Sequence, residues 1–362
     1  MNLLSKFIIN ILNKRNQNEK IINPENILIL TYDKIGDMVL TTPMLRILKE
    51  NYPDVNIDVF ASSRNKDIIK YNPNIRNIYE FNNEDKSTVF KNIKAILKAR
   101  KTKYDYIIDC WRKISLFQFL KLRFLRAKIK ITPYKLNYFE KITGYKTNDL
   151  KIYDRVHGNR KNKHFSRYFI ELLGNLNKKN INNTSYDFYY NSTGKNKAKK
   201  LLSKIDTKNI VVFNTDSRTD QRSINFKDIK LIVREILKNK DVSIIVLAKK
   251  NRLKKLKKNE SLNYDNLYFS YPLDSILEIG PIFEKTDVLI SPDTSFIHIG
   301  CAFDIKIIGI YSNNMGNYKR FKPRTGEFGV VFSDNDKMNS IENFDPNGVV
   351  KLFLKFFKKE SV

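Results

Sequence analysis

The feature that most constrains this chain is an alternation carried almost from end to end: short runs apolar on both faces, each followed by a stretch with helical spacing. In the first half the runs NILIL (26–30), NIDVFAS (56–62), NIYEF (77–81), YDYIIDC (104–110) and KIKIT (128–132) read as strands, with helices near 38–51, 64–71, 86–101 and 114–126. The second half repeats the habit. NIVVFN (209–214), VSIIVLA (242–248), NLYFSY (266–271), DVLISP (287–292) and IKIIGIY (305–311) alternate with helices near 226–239, 250–258, 274–286 and 295–303. A strand apolar on both faces must be covered on both, and helical crossovers bring successive strands in parallel. The alternation therefore predicts an α/β chain of two Rossmann-like domains, split by the polar, Asn- and Lys-rich stretch near 175–208. The expected boundaries are an N-terminal amphipathic helix over 1–22, a first domain over 23–190, a second over 195–345 and a basic C-terminal helix over 346–362. In open parallel sheets ligands gather outside the carboxyl ends of the strands. The strand tips thus carry the functional reading, and the cleft between two such domains is the expected site.

Charge narrows the partners. Lys and Arg number 67 against 38 Asp and Glu, a net +29 over 362 residues. Such an excess favours nucleic acid, an anionic membrane leaflet or phosphorylated substrates; it equally describes a surface solvated by lysines. No RRM, KH or zinc-finger signature occurs, and the lysines are dispersed instead of interleaved with aromatics, so nucleic acid is not the expected partner. The two cysteines, Cys110 and Cys301, sit in or beside apolar runs, which suits buried thiols in a reducing compartment. No apolar run approaches the ~20 residues that span a bilayer. The opening MNLLSKFIINILNKR has no small-residue cleavage site. Its Leu3, Leu4, Phe7, Ile8, Ile11 and Leu12 recur at helical spacing beside Lys6, Lys14 and Arg15. This helix either lies in a membrane interface or docks on the protein itself.

Three strand tips stand out. The first is TYDKIGDMVLTTPMLRILKE (31–50), which follows the NILIL strand. Tyr32–Gly36 reads as a loop in which Gly36 permits a tight turn, and Asp37 as the start of a helix. Asp37 has two readings: a first-turn carboxylate favoured by the helix dipole, or a general base presented at the strand tip. The loop lacks both the Gly-x-Gly-x-x-Gly and the Gly-Lys-Ser/Thr spacings, which argues against dinucleotide or ATP binding there. The second is VLISPDTSFIHIGCAFDIKIIGIYSNN (288–314), where a strand ends near Asp293, Thr294 or Ser295 caps a helix, and His298 follows one turn on. Hydroxyls and amides at a helix N-terminus suit phosphate; an ordinary capped helix with a packed histidine is the alternative. The third is VVFNTDSRTDQRSINF (211–226), whose loop carries Thr215, Ser217, Arg218 and Arg222. Hydroxyls with guanidinium groups suit a diphosphate, and a solvated polar loop is the competing reading.

Taken together these motifs resemble the bacterial heptosyltransferases of glycosyltransferase family 9. IGDMVLTTPMLRILKENYPDVNIDVF is similar to the family's N-terminal signature, YDYIIDCWRK to its later strand ending in an Asp, and KHFSRYFIELLG to its helix ahead of the linker. SPDTSFIHIGCAFDIKIIGIYSN resembles the C-terminal donor signature, and the resemblance spans roughly 26–320. It implies a GT-B architecture, two Rossmann-like domains whose parallel sheets face a central cleft, and an inverting, metal-independent transfer that uses no cofactor beyond the sugar donor. It makes Asp37 the catalytic base and places the donor on Thr215, Ser217, Arg222, Asp293, Thr294 and His298, with Arg218 and Ser295 beside them as further donor-side candidates. Lys34, Gly36, Asp109 and Arg112 fall on the acceptor side. Two positions depart from the pattern: Ser295 stands where the family has glycine, and the basic AKKNRLKKLKK replaces an acidic residue after the second strand of the donor domain.

The implied partners are a nucleotide-sugar donor (ADP-heptose in the family), an anionic glycolipid acceptor of the lipopolysaccharide-core type and an anionic membrane surface, with a cytoplasmic, peripheral location at the inner face of the cytoplasmic membrane. Another nucleotide sugar for another surface glycan, a non-catalytic relative and a basic nucleic-acid binder are the alternatives.

Overall fold

A computed structural model of the protein describes residues 11, 23–31, 33–82, 86–111, 116–134, 146–158, 163–177, 183–192, 194–334 and 340–358. The expected helix over 1–22, apart from Ile11, and the site candidate Arg112 lie outside them. The chain divides into two compact units, Met1–Thr184 and Ser185–Val362.

In the first unit the strands are β1 (Asn26–Leu30), β2 (Asn56–Ala61), β3 (Asn77–Glu80), β4 (Tyr104–Asp109), β5 (Ala127–Pro133) and β6 (Arg155–His157). They form a parallel sheet in the order β3-β2-β1-β4-β5-β6. Ile27 of β1 sits between Ile57 of β2 and Tyr106 of β4, and Ile27 to Leu30 are wholly buried. That is why this strand is apolar on both faces. The helices are α1 (Ile35–Asn51), α2 (Val89–Arg100), α3 (Leu116–Phe124) and α4 (Phe165–Glu171). α2 and α3 share one core cluster with the sheet: Ala95, Ile96 and Ala99 from α2, and Phe119 and Leu122 from α3, meet Leu28, Leu30, Phe60 and Ile107. Each fully buried large side chain stabilises the unit by about 1.5–3 kcal/mol. Away from the strand tips, Asp58 anchors β2 to its neighbours. It accepts from Arg76 at 2.9 and 2.8 Å and from the Tyr104 hydroxyl at 2.8 Å.

The second unit repeats the plan. Its helices are α5 (Lys195–Leu202), α6 (Phe226–Ile236), α7 (Lys250–Lys257), α8 (Gly280–Phe283), α9 (Ser295–Ala302), α10 (Met315–Phe321) and α11 (Pro346–Lys358). Its strands are β7 (Asn209–Asn214), β8 (Val242–Leu247), β9 (Leu267–Phe269), β10 (Val288–Pro292), β11 (Lys306–Tyr311) and β12 (Phe328–Phe332). The order β12-β11-β10-β7-β8-β9, again all parallel, is that of the first sheet. In both sheets the strand order therefore reverses between the first and fourth strands, and the crevice at that reversal is where such folds seat ligands. The C-terminal helix is amphipathic for a plain reason. Val349, Phe353 and Phe356 of α11 enter the core beside Ile229, Ile232 and Ile236 of α6, while lysines such as Lys351 and Lys355 stay outside.

Several details differ from the sequence reading. The helix expected over 64–71 is a single 3-10 turn, Lys66–Ile69, and that over 274–286 is a 3-10 turn (Ile276–Ile279) running into the short α8. The edge strands β6 and β12 were not foreseen. β6 has three half-buried residues, too short for a two-faced apolar run to show. Helix α5 lies within the polar stretch expected to be linker, with Ala198 its buried residue.

Candidate functional site

At the tip of β1 the helix begins two residues earlier than the sequence suggests. α1 starts at Ile35, with Lys34 as its N-cap, so Gly36 lies inside the first turn and makes no sharp corner. The reason is the Asp37 carboxylate, at the third helical position, which accepts from the Lys34 amide at 3.4 Å. A carboxylate there satisfies an otherwise orphan amide and complements the helix dipole. Asp37 is 5% exposed. The two threonines that follow are buried and serve the helix itself. Thr41 donates to the Asp37 carbonyl at 2.7 Å and Thr42 to the Val39 carbonyl at 2.8 Å. Pro43 has no N–H to offer Val39, four residues back; the Thr42 hydroxyl fills that vacancy and lets the helix continue through the proline. Asn65, a residue sequence reasoning passed over, pins the strand tip from the side. It donates to the Thr31 carbonyl at 2.9 Å and accepts from the Ser62 amide at 2.8 Å.

Across the reversal, Asp109 ends β4. It is fully buried, and its carboxylate accepts from the Tyr153 hydroxyl (2.7 Å), Gln118 Nε2 (3.0 Å) and the Trp111 amide (3.1 Å). Three donors hold it as an anchor that draws α3 and the 150s loop onto the strand tip. Lys130, on the neighbouring strand β5, is also buried. Desolvation pulls its ammonium down to about 8, against a smaller opposing pull from Asp154.

In the second unit the tips of β7 and β10 are stitched together by side chains. Asn214 donates to Ser291 Oγ at 2.9 Å and to Thr294 Oγ1 at 3.3 Å. Arg222, on a 3-10 turn of the β7–α6 loop, reaches across to β10. Its Nη2 donates to the Asp293 carbonyl at 2.8 Å and to Asp293 Oδ2 at 3.1 Å. Asn317 of α10 donates to the same Oδ2 at 3.1 Å. Both arginine bonds use Nη2, and the Arg222 side chain remains partly exposed. Thr294 is the N-cap of α9, with Ser295 at the first helical position. Gly300 lets this helix sit tightly on β10, because a Cβ there would meet Leu289 at 2.8 Å. Arg222, Asp293, Thr294 and Ser295 therefore share one patch at the β7–β10 reversal.

The other expected donor residues take different places. Thr215 is fully buried and turns its hydroxyl to the Leu247 carbonyl at 3.4 Å. The Ser217 amide donates to the Ser223 hydroxyl oxygen at 2.9 Å. Arg218 is exposed. His298 is buried between the rings of Tyr186 and Phe321, at 6.2 and 6.3 Å. Four functional-looking side chains escaped sequence reasoning: Asn214, Ser291, Asn317 and Asp216. Asp216 accepts from the Lys249 amide at 2.7 Å and pairs with Arg252 at 3.0 Å. A carboxylate borrowed from the β7 loop thus stands beside the basic stretch that follows β8. Strand-tip position was a usable signal for Asn214 and Ser291; nothing local marks Asn317.

Among the described residues no helix is long and apolar enough to cross a membrane. Cys110 and Cys301 are both buried, and burial pushes the Cys301 thiol up to about 12.

With this geometry in view, comparison with known proteins is specific. No protein-family model matches the chain. Lipopolysaccharide heptosyltransferase 3 of Escherichia coli K12 is 36% identical over 103 residues, which are 27% of this chain. The chain covers only 28% of that relative's length. Among solved structures, a family 9 glycosyl transferase from Veillonella parvula superposes with a TM-score of 0.78 at 15% identity, covering 94% of this chain and 100% of that one. The E. coli heptosyltransferase WaaC with ADP gives 0.70 at 14% identity, covering 93% and 100%. At these identities the structural likeness establishes the fold, an α/β fold of GT-B type, and nothing finer.

Proposed function

We propose that the protein is an inverting glycosyltransferase that moves a sugar from a nucleoside diphosphate onto a hydroxyl of a surface-glycan acceptor, with heptose from ADP-heptose and a lipopolysaccharide-core acceptor as the specific pair. The observation that carries this reading is the Arg222–Asp293 bridge at the β7–β10 reversal, beside the N-terminus of α9. The fold shared with heptosyltransferases and the local identity to one of them support the choice of sugar.

The chemistry assigns a task to each unit. The acceptor oxygen attacks the anomeric carbon from the face opposite the leaving group. A C–O bond forms, the sugar–phosphate C–O bond breaks with its electron pair leaving on the diphosphate, and the hydroxyl proton passes to the Asp37 carboxylate. A positioned base accelerates such a step ~10²–10⁴-fold. Charge growing on the diphosphate is met by Arg222 and by the amides that open α9, and one preorganised donor is worth ~10²–10³ in rate. Asp293 orients Arg222. Asp109 holds the β4 tip in place, and Lys34 takes an acidic group of the acceptor. The reaction as written runs without a metal or cofactor. We further propose that the enzyme works at the inner face of the cytoplasmic membrane, where its positive surface faces an anionic leaflet.

The ion pair of Arg252 with Asp216, beside the basic stretch after β8, favours a second reading: the same reaction with another nucleotide sugar. One experiment separates the two. Purified protein is offered a panel of nucleoside diphosphates by calorimetry, then the matching sugar nucleotides with a lipid-linked acceptor. Tightest binding of ADP and transfer of heptose support the first reading. Preference for another base redirects the donor, and the absence of both binding and transfer removes the glycosyltransferase proposal.

A further inference from the structure

Helices α2 and α3 each bury one face in the core of the first unit, yet their opposite faces are also apolar. On α2, Phe90 is 85% exposed, and Ile93 and Leu97 lie between 43% and 50%. On α3, Phe117, Leu120 and Phe124 lie between 37% and 40%. Both triplets run at i, i+3, i+7, so each forms a stripe along its helix. Between the stripes lies a groove of about 470 Å³, to which Ile96 and Lys121 contribute. Soluble surfaces scatter large apolar residues singly; a contiguous patch marks something that covers it.

The charges around the patch identify what that is. Lys91, Lys94 and Lys98 are exposed and repeat the same spacing one step around α2, so a cationic stripe borders the apolar one. Lys101, Lys103 and Arg126 extend the cationic border at the helix ends. Neither helix contains an acidic residue. Arg100 stacks on the Phe124 ring at 4.0 Å and donates to the Phe124 carbonyl, which closes the C-terminal end of α3 and keeps that ring at the surface. An apolar stripe flanked by lysines is the pattern of a helix lying at a lipid interface. A second copy of this chain would bring an equally basic face against it.

We propose that the α2–α3 face docks the protein on an anionic phospholipid leaflet. Phe90, Ile93, Leu97 and the α3 stripe enter the acyl boundary, and Lys91, Lys94 and Lys98 sit at the headgroup phosphates. This deepens the reading of a membrane-borne acceptor, but it is tested without donor or acceptor, so its failure leaves the transfer chemistry standing.

The test is sedimentation of the full chain with vesicles of phosphatidylcholine, alone or mixed with phosphatidylglycerol. Wild-type protein should pellet with the anionic vesicles. Phe90→Ser with Leu97→Ser should weaken that partition by about tenfold or more, the effect of losing two apolar side chains from the boundary. Lys91→Glu with Lys94→Glu and Lys98→Glu should abolish the preference for phosphatidylglycerol. All these positions are exposed, so unchanged thermal melting checks the fold. Wild-type partition in both variants would overturn the proposal and move the membrane contact elsewhere on the chain. An altered oligomeric state by sedimentation velocity, with partition unchanged, would overturn it in favour of a second copy.

Discussion

The two units share one strand order but lodge different chemistry at its reversal point. In the first, the β4 tip carries a fully buried carboxylate with its donors already supplied by Tyr153, Gln118 and Trp111, while Asp37 sits in a helical first turn. In the second, the β7 and β10 tips carry a partly exposed arginine held by a carboxylate, among hydroxyls and a helix N-terminus. Topology decides where chemistry can be placed; the residues at the tips decide which chemistry. In the proposed reaction the first unit would supply the proton acceptor and the second the anion cradle that sugar transfer from a diphosphate requires.

The comparison breaks most visibly at Asp37. Asp37→Asn keeps the shape of the first turn but removes the proposed base, and transfer should fall ~10²–10⁴-fold in steady-state assays. Asp109→Ala addresses stability. Stripping the acceptor from Tyr153, Gln118 and the Trp111 amide should cost about 2–4 kcal/mol in urea unfolding, and Asp109→Asn should cost less. In the second unit, Arg222→Ala removes a charged donor from the proposed anion cradle and should weaken nucleoside diphosphate binding about 10–100-fold by calorimetry. The smallest expected effect is on pH dependence. Lys130 has its ammonium drawn down to about 8 by burial, below its value in an unfolded chain. The unfolded state then binds more protons between about pH 8 and 10, so stability should rise with pH there, by about 1 kcal/mol between pH 7 and 9. Lys130→Met should flatten that rise in melting scans across the same range.

The sheets were legible because burial on both faces writes an unmistakable run, as in NILIL and VSIIVL. Edge strands such as Arg155–His157 escape because half their surface is never buried. Position at a strand tip and side-chain chemistry were enough to single out Asp37, Arg222 and Asp293 as candidates. Their partners could not be singled out in this way. Tyr153 reaches Asp109 across 44 positions and Asn317 reaches Asp293 across 24, and separations of that size leave no local pattern. Gly36 is instructive in the other direction. A glycine before an acid suggested a turn, but the Asp37 carboxylate extends the helix to include it.

The division of labour between the units is tested most directly by measuring turnover and nucleoside diphosphate affinity side by side for Asp37→Asn and Arg222→Ala. The account predicts that Asp37→Asn loses turnover while its dissociation constant stays near wild type, and that Arg222→Ala loosens the nucleotide. Wild-type turnover in Asp37→Asn, or a nucleotide affinity that falls in Asp37→Asn and not in Arg222→Ala, would contradict it.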